Sequence, residues 1–173
     1  MNRRIVSLPQ IRVSPATSDA DWRDGAVMVS ELLEWLTGEL RLKPTRAAVE
    51  TSIELDDLAG YYAFPSGLFL IGRVEGEAAG TAGIRFLDDE TAELKRVWVR
   101  PAYRGSGLAQ ALLARALDGA RALGATRVVL ETEPRIMAKA LNLYRQNGFR
   151  ERDGYSPLSQ SVPTVLTMQK RVA

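Results

Sequence analysis

One segment constrains the fold more than any other: the stretch from Glu93 to Thr132 predicts a strand, a loop, a helix and a second strand. The predicted elements are the strand Glu93–Arg100, the loop Pro101–Gly107, the helix from Leu108 to about Leu123 with Gly124 as its stop, and the β-branched strand Arg127–Thr132. Two neighbouring strands joined through a helix run parallel in one sheet. The sequence therefore predicts an α/β fold with one parallel crossover.

The flanking segments predict antiparallel strands and further helices. They are a strand at residues 10–14, a helix from Ser18 or Asp19 to about Leu42, a helix near Thr45 to Asp57, a hairpin of Leu68–Glu75 and Ala78–Leu87 joined by Gly76-Glu77, a helix at Ile136–Gln146 ended by Asn147-Gly148, and a last strand near Val162–Gln169. Together with the crossover, the hairpin predicts a mostly antiparallel sheet of mixed α/β type. No linker divides the sequence, so we expect residues 1–173 to form one domain.

Composition excludes several kinds of chemistry. The 173 residues include no cysteine and no histidine, which removes disulfide scaffolds, Cys/His metal sites, thiol nucleophiles and imidazole bases. No other metal-ligand spacing appears, and we expect no metal. The 23 basic and 21 acidic residues give a net charge of +2, which does not favour nucleic acid as a partner. No apolar stretch is long enough for a signal peptide or a membrane span, so we expect a cytoplasmic protein with no membrane partner.

The loop at residues 104–110 has the features of an anion site. A helix begins directly after Gly107, and the free N–H groups of a helix start attract phosphate. A flexible surface loop explains these residues equally well. A nicotinamide-binding site would need a third glycine at Gln110 and a shorter connection from the preceding strand. A Walker A loop is excluded because no Gly-Lys-Ser/Thr sequence occurs.

Three motifs follow one another in the second half of the chain. They are the strand Glu93–Pro101 ending in Arg-Pro, the loop Arg104-Gly105-Ser106-Gly107-Leu108-Ala109, and Ala140–Phe149 with the pattern Ala-x-x-Leu-Tyr-x-x-x-Gly-Phe. In this order they resemble the GNAT superfamily of N-acetyltransferases, in particular its small-molecule-type bacterial branch. The resemblance implies a twisted, mostly antiparallel sheet of about six or seven strands with a splayed parallel pair, flanked by about four helices.

The resemblance also implies a co-substrate and its binding residues. Acetyl-CoA would bind with its pantetheine arm along the backbone of one strand and its pyrophosphate in the glycine loop. The residues implied are Val97, Trp98, Val99, Arg104, Gly105, Ser106, Gly107, Leu108, Ala109, Gln110 and Asn142. Many members have a cofactor-binding asparagine about seven residues before the motif tyrosine. This chain has Met137 at that position, and Asn142, which lies nearer to the tyrosine, is included in its place. The implied partner is a small-molecule amine, and a homodimer is compatible with it.

Two residues match catalytic positions of the family. Tyr144 corresponds to the tyrosine that protonates the departing thiolate, and Glu93 to a glutamate that takes a proton from the amine, provided that burial raises its pKa. Each has a structural alternative. Tyr144 lies on an apolar helix stripe and fits a core tyrosine. Strand alternation puts Glu93 on one face with Lys95 and Val97, so a Glu93–Lys95 ion pair is equally consistent.

The sequence says less about the acceptor. Residues that could attract a cationic amine are Glu31, Glu34, Asp56, Asp57, Glu131 and Glu133, with Glu131 the next candidate for the base. A solvated surface accounts for the first four equally well. Residues 155–160 are expected to form part of the acceptor site. The leading hypothesis is an N-acetyltransferase for a small amine, and the alternative is a catalytically weak acyl-CoA-binding or regulatory domain of the same fold.

Overall fold

A computed structural model describes residues 9–40 and 54–173 and shows a seven-stranded sheet with helices on both faces. The strands are β1 (Ile11–Pro15), β2 (Gly67–Val74), β3 (Glu77–Phe86), β4 (Thr91–Val99), β5 (Arg127–Thr132), β6 (Arg150–Arg152) and β7 (Leu166–Arg171). The helices are α1 (Asp19–Leu40), α2 (Leu58–Tyr62), α3 (Leu108–Ala122), α4 (Ala138–Gln146) and α5 (Pro157–Ser161), with a 3-10 turn at Pro101–Tyr103. The sheet order is β1-β2-β3-β4-β5-β7-β6.

Helices cover both faces of the sheet, which explains the nearly continuous apolar run in β2. Leu70 and Val74 belong to a core cluster beneath α3, whereas Phe69 and Ile71 belong to a second cluster beneath α1. We call these the α3-side core and the α1-side core. A strand buried on both faces needs apolar residues at successive positions rather than alternate ones. The sheet is therefore the central layer of a three-layer molecule.

In the part of the chain that the structure describes, the parallel pair β4–β5 joins the two halves of the sheet, and this pairing is short. Pairing runs from Thr91 to Glu93 on β4 and from Arg127 to Val129 on β5, and every other neighbouring pair is antiparallel. Beyond Glu93, β4 continues to Val99 with β3 as its only described ladder partner. The sheet therefore opens between β4 and β5, as the splayed pair predicted.

Most predicted elements are confirmed, with shifts that have local causes. The hairpin turn lies at Glu75-Gly76, one residue earlier than predicted, because both residues adopt positive φ (50° and 87°) and Val74 pairs with Glu77. Helix α1 begins as predicted, with Asp21 N–H donating to Ser18 Oγ at 3.2 Å. The predicted helix near Thr45 to Asp57 falls largely outside the described residues. No described helix is long and apolar enough to cross a membrane.

The last predicted strand is wrong at its N-terminal end. Residues 162–165 precede β7, which starts at Leu166, and a short helix, α5, occupies the segment before them. Ser156 caps α5 by accepting from the N–H groups of Leu158 and Ser159, and Pro157 stands at its first position. A serine followed by proline is a helix-start signal, and this one lies ahead of the predicted strand, in a segment to which no element was assigned.

Candidate active site

The glycine loop has the geometry of an anion cradle. Gly105 and Gly107 adopt φ of +82° and +92°, a region that L-residues rarely enter, and a Cβ atom at Gly105 would meet nothing within 4 Å. Gly107 is the N-cap of α3. Within the described parts of the chain, the N–H groups of Gly105, Gly107, Ala109 and Gln110 donate to no protein acceptor. Unpaired donors at a helix start beside open space are what a phosphate needs.

Arg104 is held against β4 rather than extending freely from the loop. Its Nε donates to the carbonyl of Val99 at 3.1 Å, and its guanidinium lies 4.9 Å from the ring centre of Trp98 and 6.0 Å from that of Trp35. Trp98 itself is buried in the α1-side core. Trp98 is one of the residues predicted to bind the pantetheine arm. Because its side chain is buried, only its backbone is available to a ligand.

A β-bulge interrupts β4 where it leaves β5. The register with β3 shifts between Thr81 and Gly83, and Arg96 adopts a φ of +55°. Neither Arg96 nor Val97 has a register partner on β3 or β5. The carbonyl of Arg96 accepts instead from Thr81 Oγ1 at 2.8 Å. The bulge therefore places two residues, Arg96 and Val97, outside the regular pairing of the sheet at the edge of the opening.

A buried ion pair holds the bulge in place. Arg96 Nε and Nη2 donate to Glu54 Oε1 and Oε2 at 2.7 and 2.6 Å, and the Tyr62 hydroxyl donates to Glu54 Oε1 at 2.6 Å. Glu54 is 2% exposed. A bidentate contact of this kind fixes both groups in orientation. It lowers the pKa of Glu54 against the opposing effect of burial.

The bulge also corrects the predicted face of Val97. Before it, Ala92 and Leu94 face the α3-side core, and after it Val97 and Val99 pack against that same core. Val97 therefore lies on the opposite face from Glu93. The extra residue at Arg96 reverses the alternation. Sequence alternation alone does not reveal this reversal, because Ala92 and Leu94 are followed by three consecutive apolar residues at positions 97–99.

Glu93 is buried at the start of the opening with partners on both oxygens. Its side chain is 6% exposed; Oε2 accepts from Arg85 Nε at 2.7 Å and Oε1 from the Tyr155 hydroxyl at 2.6 Å. Lys95 Nζ lies 3.9 Å from Oε2. The ion pair with Lys95 is thus present, but the closer contact is to Arg85. A carboxylate has about four lone-pair positions, so these bonds leave room for a further donor.

Tyr155 and Ser156 bring the segment before α5 to the site. Besides the Tyr155–Glu93 bond, Ser156 Oγ donates to Glu131 Oε1 at 2.6 Å. Burial and the neighbouring Glu93 carboxylate raise the pKa of Tyr155, so its phenol remains a donor. Two members of the segment 155–160 thus contact Glu93 and Glu131, while its role in the acceptor site stays a prediction. The specific pairing of Tyr155 with Glu93, 62 residues away, leaves no trace in sequence spacing.

Tyr144 is buried in the α3-side core, 3% exposed, with its ring edge-on to Phe149 at 5.8 Å. Burial raises the pKa of its phenol, which keeps the group protonated. Its hydroxyl makes no hydrogen bond to any part of the chain that the structure describes. The ring of Tyr144 therefore packs as a core residue does. Its hydroxyl, in contrast, has no hydrogen-bond partner among the described residues.

The remaining predicted cofactor residues differ in their availability. Gln110 and Asn147 exchange two side-chain hydrogen bonds of 2.9 Å, which tie the first turn of α3 to the end of α4. Ser106 Oγ donates to the Tyr103 carbonyl at 2.7 Å. Asn142 is exposed on α4, two positions from the buried Tyr144 and hence on a different helix face. Its role toward CoA stays a prediction.

Several expected acceptor carboxylates have structural roles. Glu31 binds the guanidinium of Arg100 through both oxygens, and Asp57 caps α2 by accepting from Gly60 N–H at 2.8 Å. Glu133 accepts from Arg135 and Thr164. Glu34 and Asp56 are exposed. Of the six carboxylates considered, Glu131 is the one bonded directly to the segment that reaches Glu93.

Comparison with known proteins identifies the fold and the chemistry. The chain is 30% identical over 128 residues to YjgM of Escherichia coli, an uncharacterized N-acetyltransferase, covering 72% of this chain and 76% of the relative. It is 33% identical over 150 residues to an IAA acetyltransferase of Azospirillum brasilense, covering 86% and 91%. The PaiA N-acetyltransferase of Thermoplasma acidophilum, solved with coenzyme A, superposes with a TM-score of 0.69 at 18% identity, covering 94% and 99%.

The family model named Acetyltransferase (GNAT) family matches residues 29–149, which include the opening, the glycine loop and Tyr144. The splayed sheet and the glycine loop are those that the sequence motifs implied. The chain therefore belongs to the GNAT family of acetyltransferases, and its activity is acetyl-CoA-dependent N-acetylation.

Proposed function

We propose that the protein transfers the acetyl group of acetyl-CoA to the amine of a small molecule by direct attack at the opening between β4 and β5. One observation carries the proposal: Glu93 lies where β4 and β5 part, on the α1 side of the sheet, while Tyr144 belongs to the α3-side core, which packs on the opposite face of these strands. A thioester lying in the opening would have an acceptor for a proton on one side and a donor on the other.

Acetyl-CoA is held by backbone groups in this proposal. The unpaired N–H groups of Gly105, Gly107, Ala109 and Gln110 bind the pyrophosphate. The pantetheine arm lies along Val97–Val99, where β4 has lost its β5 partner. The thioester then reaches the bulge, where the N–H group of Val97, a residue without a register partner on β3, would stabilise the oxyanion of the tetrahedral intermediate.

The reaction needs one proton removed and one supplied. The neutral amine forms a bond to the thioester carbonyl carbon and loses a proton to Glu93, directly or through a water molecule. The intermediate then collapses, the carbon–sulfur bond breaks, and the departing thiolate takes the proton of the Tyr144 hydroxyl. Because that hydroxyl has no partner among the described residues, it is free to point at the sulfur.

A buried base favours a small acceptor. The amine has to approach a carboxylate that is 6% exposed and enclosed by Arg85 and Tyr155, and a folded protein surface does not fit such a position. The relative named IAA acetyltransferase supports the same conclusion. We expect residues 155–160 to line the acceptor side.

The test is a thiol-release assay with acetyl-CoA and a panel of polyamines, aminoglycosides, amino acids and peptides. We expect at least one small amine to release CoA with saturable kinetics and to gain the mass of an acetyl group. Binding of acetyl-CoA without turnover on any amine would contradict the proposal and favour the acyl-CoA-binding alternative.

A further inference from the structure

Two cations beside Glu93 share a single carboxylate. Arg85 Nε lies 2.7 Å and Lys95 Nζ 3.9 Å from the same oxygen, Oε2 of Glu93. Within the described residues neither cation has another ion-pair partner, and neither Nη atom of Arg85 donates a hydrogen bond. The group of three side chains therefore carries one positive charge in excess and has unused donors.

The neighbouring charged groups do not supply the missing anion. Arg96 and Glu54 satisfy each other through two hydrogen bonds. Glu131 accepts from Ser156 and lies within 4 Å of no described cation. Tyr155 stays neutral because burial and Glu93 raise its pKa. The excess charge is thus specific to Arg85 and Lys95.

Holding these cations here is unfavourable without a ligand. The side chains of Arg85 and Lys95 are only 31% and 24% exposed, and burial lowers the pKa of Lys95. Leaving a cation in such a position with incomplete compensation destabilises the fold. An anion that enters the site would compensate the excess positive charge, so the arrangement suits a negatively charged group of the substrate.

The two side chains are placed to receive one anion. Arg85 on β3 is directly opposite Glu93 on β4, and Lys95 is the next residue along β4 on the same face. Tyr61 lies against the Arg85 guanidinium, 5.8 Å from ring centre to Cζ, and limits its movement. A carboxylate between Arg85 and Lys95 would lie next to Glu93, where the attacking amine loses its proton.

We propose that the acceptor carries a carboxylate close to its amine, as an amino acid does, and that Arg85 and Lys95 bind this carboxylate. The inference rests on the function proposed above and specifies its substrate class. It also gives Lys95 a second effect, because a nearby cation favours the neutral form of the incoming amine. Arg85 then both orients Glu93 and binds the substrate.

The experiment compares acceptors that differ only in the carboxylate. Each amino acid of a panel is assayed beside its amide and beside the amine without the carboxyl group, using thiol release from acetyl-CoA. We expect kcat/KM to be at least about tenfold higher for the acid than for the amide of the best acceptor, since a buried charge-assisted hydrogen bond is worth about 1.5–3 kcal/mol.

Variants of Arg85 and Lys95 test whether these residues cause the preference for the acid over the amide. In Lys95→Met and Arg85→Gln, the ratio of kcat/KM for acid over amide should fall at least about fivefold, with KM for the acid rising. Arg115→Gln removes the same charge from an exposed position on α3 and should keep the wild-type ratio.

The outcomes separate the two proposals. Equal or better turnover of the amides and carboxyl-free amines would overturn the carboxylate inference and leave the proposed function standing. An unchanged ratio in both variants would overturn the assignment to Arg85 and Lys95. If no member of these sets is acetylated while a polyamine or an aminoglycoside of the first panel is, the carboxylate inference fails and the proposed function stands. If acetyl-CoA binds but no amine of any panel is acetylated, both fail.

Discussion

At the scale of single residues, two tyrosines whose rings lie in the cores of this molecule have hydroxyls with opposite surroundings. Tyr62 donates to the buried Glu54 carboxylate at 2.6 Å, whereas the Tyr144 hydroxyl has no partner in the described parts of the chain. Both rings pack in a core cluster. The pair therefore allows loss of a hydroxyl to be compared with and without loss of a structural hydrogen bond.

We expect Tyr144→Phe to lower kcat while the free energy of unfolding and the affinity for CoA stay near wild type, because only an unbonded oxygen is lost. Tyr62→Phe should instead lower the free energy of unfolding by about 1.5–3 kcal/mol, since it breaks a bond to a buried charge. Denaturant unfolding and steady-state kinetics on both variants provide the measurement. A destabilised but fully active Tyr144→Phe would make Tyr144 a core residue only.

The proposed role of Glu93 as the base predicts how kcat/KM depends on pH. Glu93→Gln keeps the shape of the side chain and removes the base, so kcat/KM at neutral pH should fall by about 10²–10⁴. The loss should shrink at high pH, where the amine loses its proton unaided. Glu77→Gln, at an exposed strand end, controls for the change in charge. Wild-type rates for Glu93→Gln at every pH would move the base elsewhere, with Glu131 next to be tested.

At the scale of elements, the connection from β5 to α4 depends on one carboxylate. Glu133 accepts from Arg135 Nε at 2.9 Å and from Thr164 Oγ1 at 2.6 Å, and its carbonyl accepts from Met137 N–H. The hydrogen bond from Arg135, followed by that from Thr164, lowers the pKa of Glu133 from 4.5 to about 2 against the effect of burial. This turn leads directly into the helix that carries Tyr144.

The lowered pKa predicts how stability depends on pH. The ionised Glu133 stabilises the folded state above its unfolded pKa, and the contribution declines as the pH falls from about 5 toward 2. The free energies of unfolding of wild type and Glu133→Gln should therefore differ most above pH 5 and converge near pH 2. Glu34→Gln, on the exposed face of α1, should show no such convergence. A difference for Glu133→Gln that is constant with pH would contradict the role of its charge.

At the scale of the whole molecule, sequence patterns gave the sheet halves and their connection. Apolar spacing predicts helix α3, and a β-branched run predicts strand β5. The glycine loop connects β4 to α3, so these two predicted elements are enough to locate the loop next to the parallel pair. β6 could not be predicted, because Arg150-Glu151-Arg152 is short and charged and is a strand only through its pairing with β7.

The sequence predicted only the parts of the candidate site that belong to a single segment of the chain. Local motifs mark the glycine loop and Tyr144, where the chemistry belongs to one segment. The surroundings of Glu93 come from Arg85 on β3 and from Tyr155 before α5, which only the tertiary fold brings together. The bulge at Arg96 shows the same limit, because alternation assigned Val97 to the wrong face until the register of β3 was known.

The central claim is that acetyl-CoA binds at the opening through the backbone of the glycine loop. Gly107→Asp would place a carboxylate against the pyrophosphate, at a φ of +92°. Gly124→Asp imposes comparable strain at a φ of +102°, with open space around it at the far end of α3, and serves as the matched control.

Isothermal titration of acetyl-CoA into the wild type and both variants, each checked for folding by its unfolding transition, tests the claim most directly. We predict a loss of affinity of at least about tenfold for Gly107→Asp, equivalent to about 1.4 kcal/mol, and wild-type affinity for Gly124→Asp. Unchanged affinity in a folded Gly107→Asp would contradict the account.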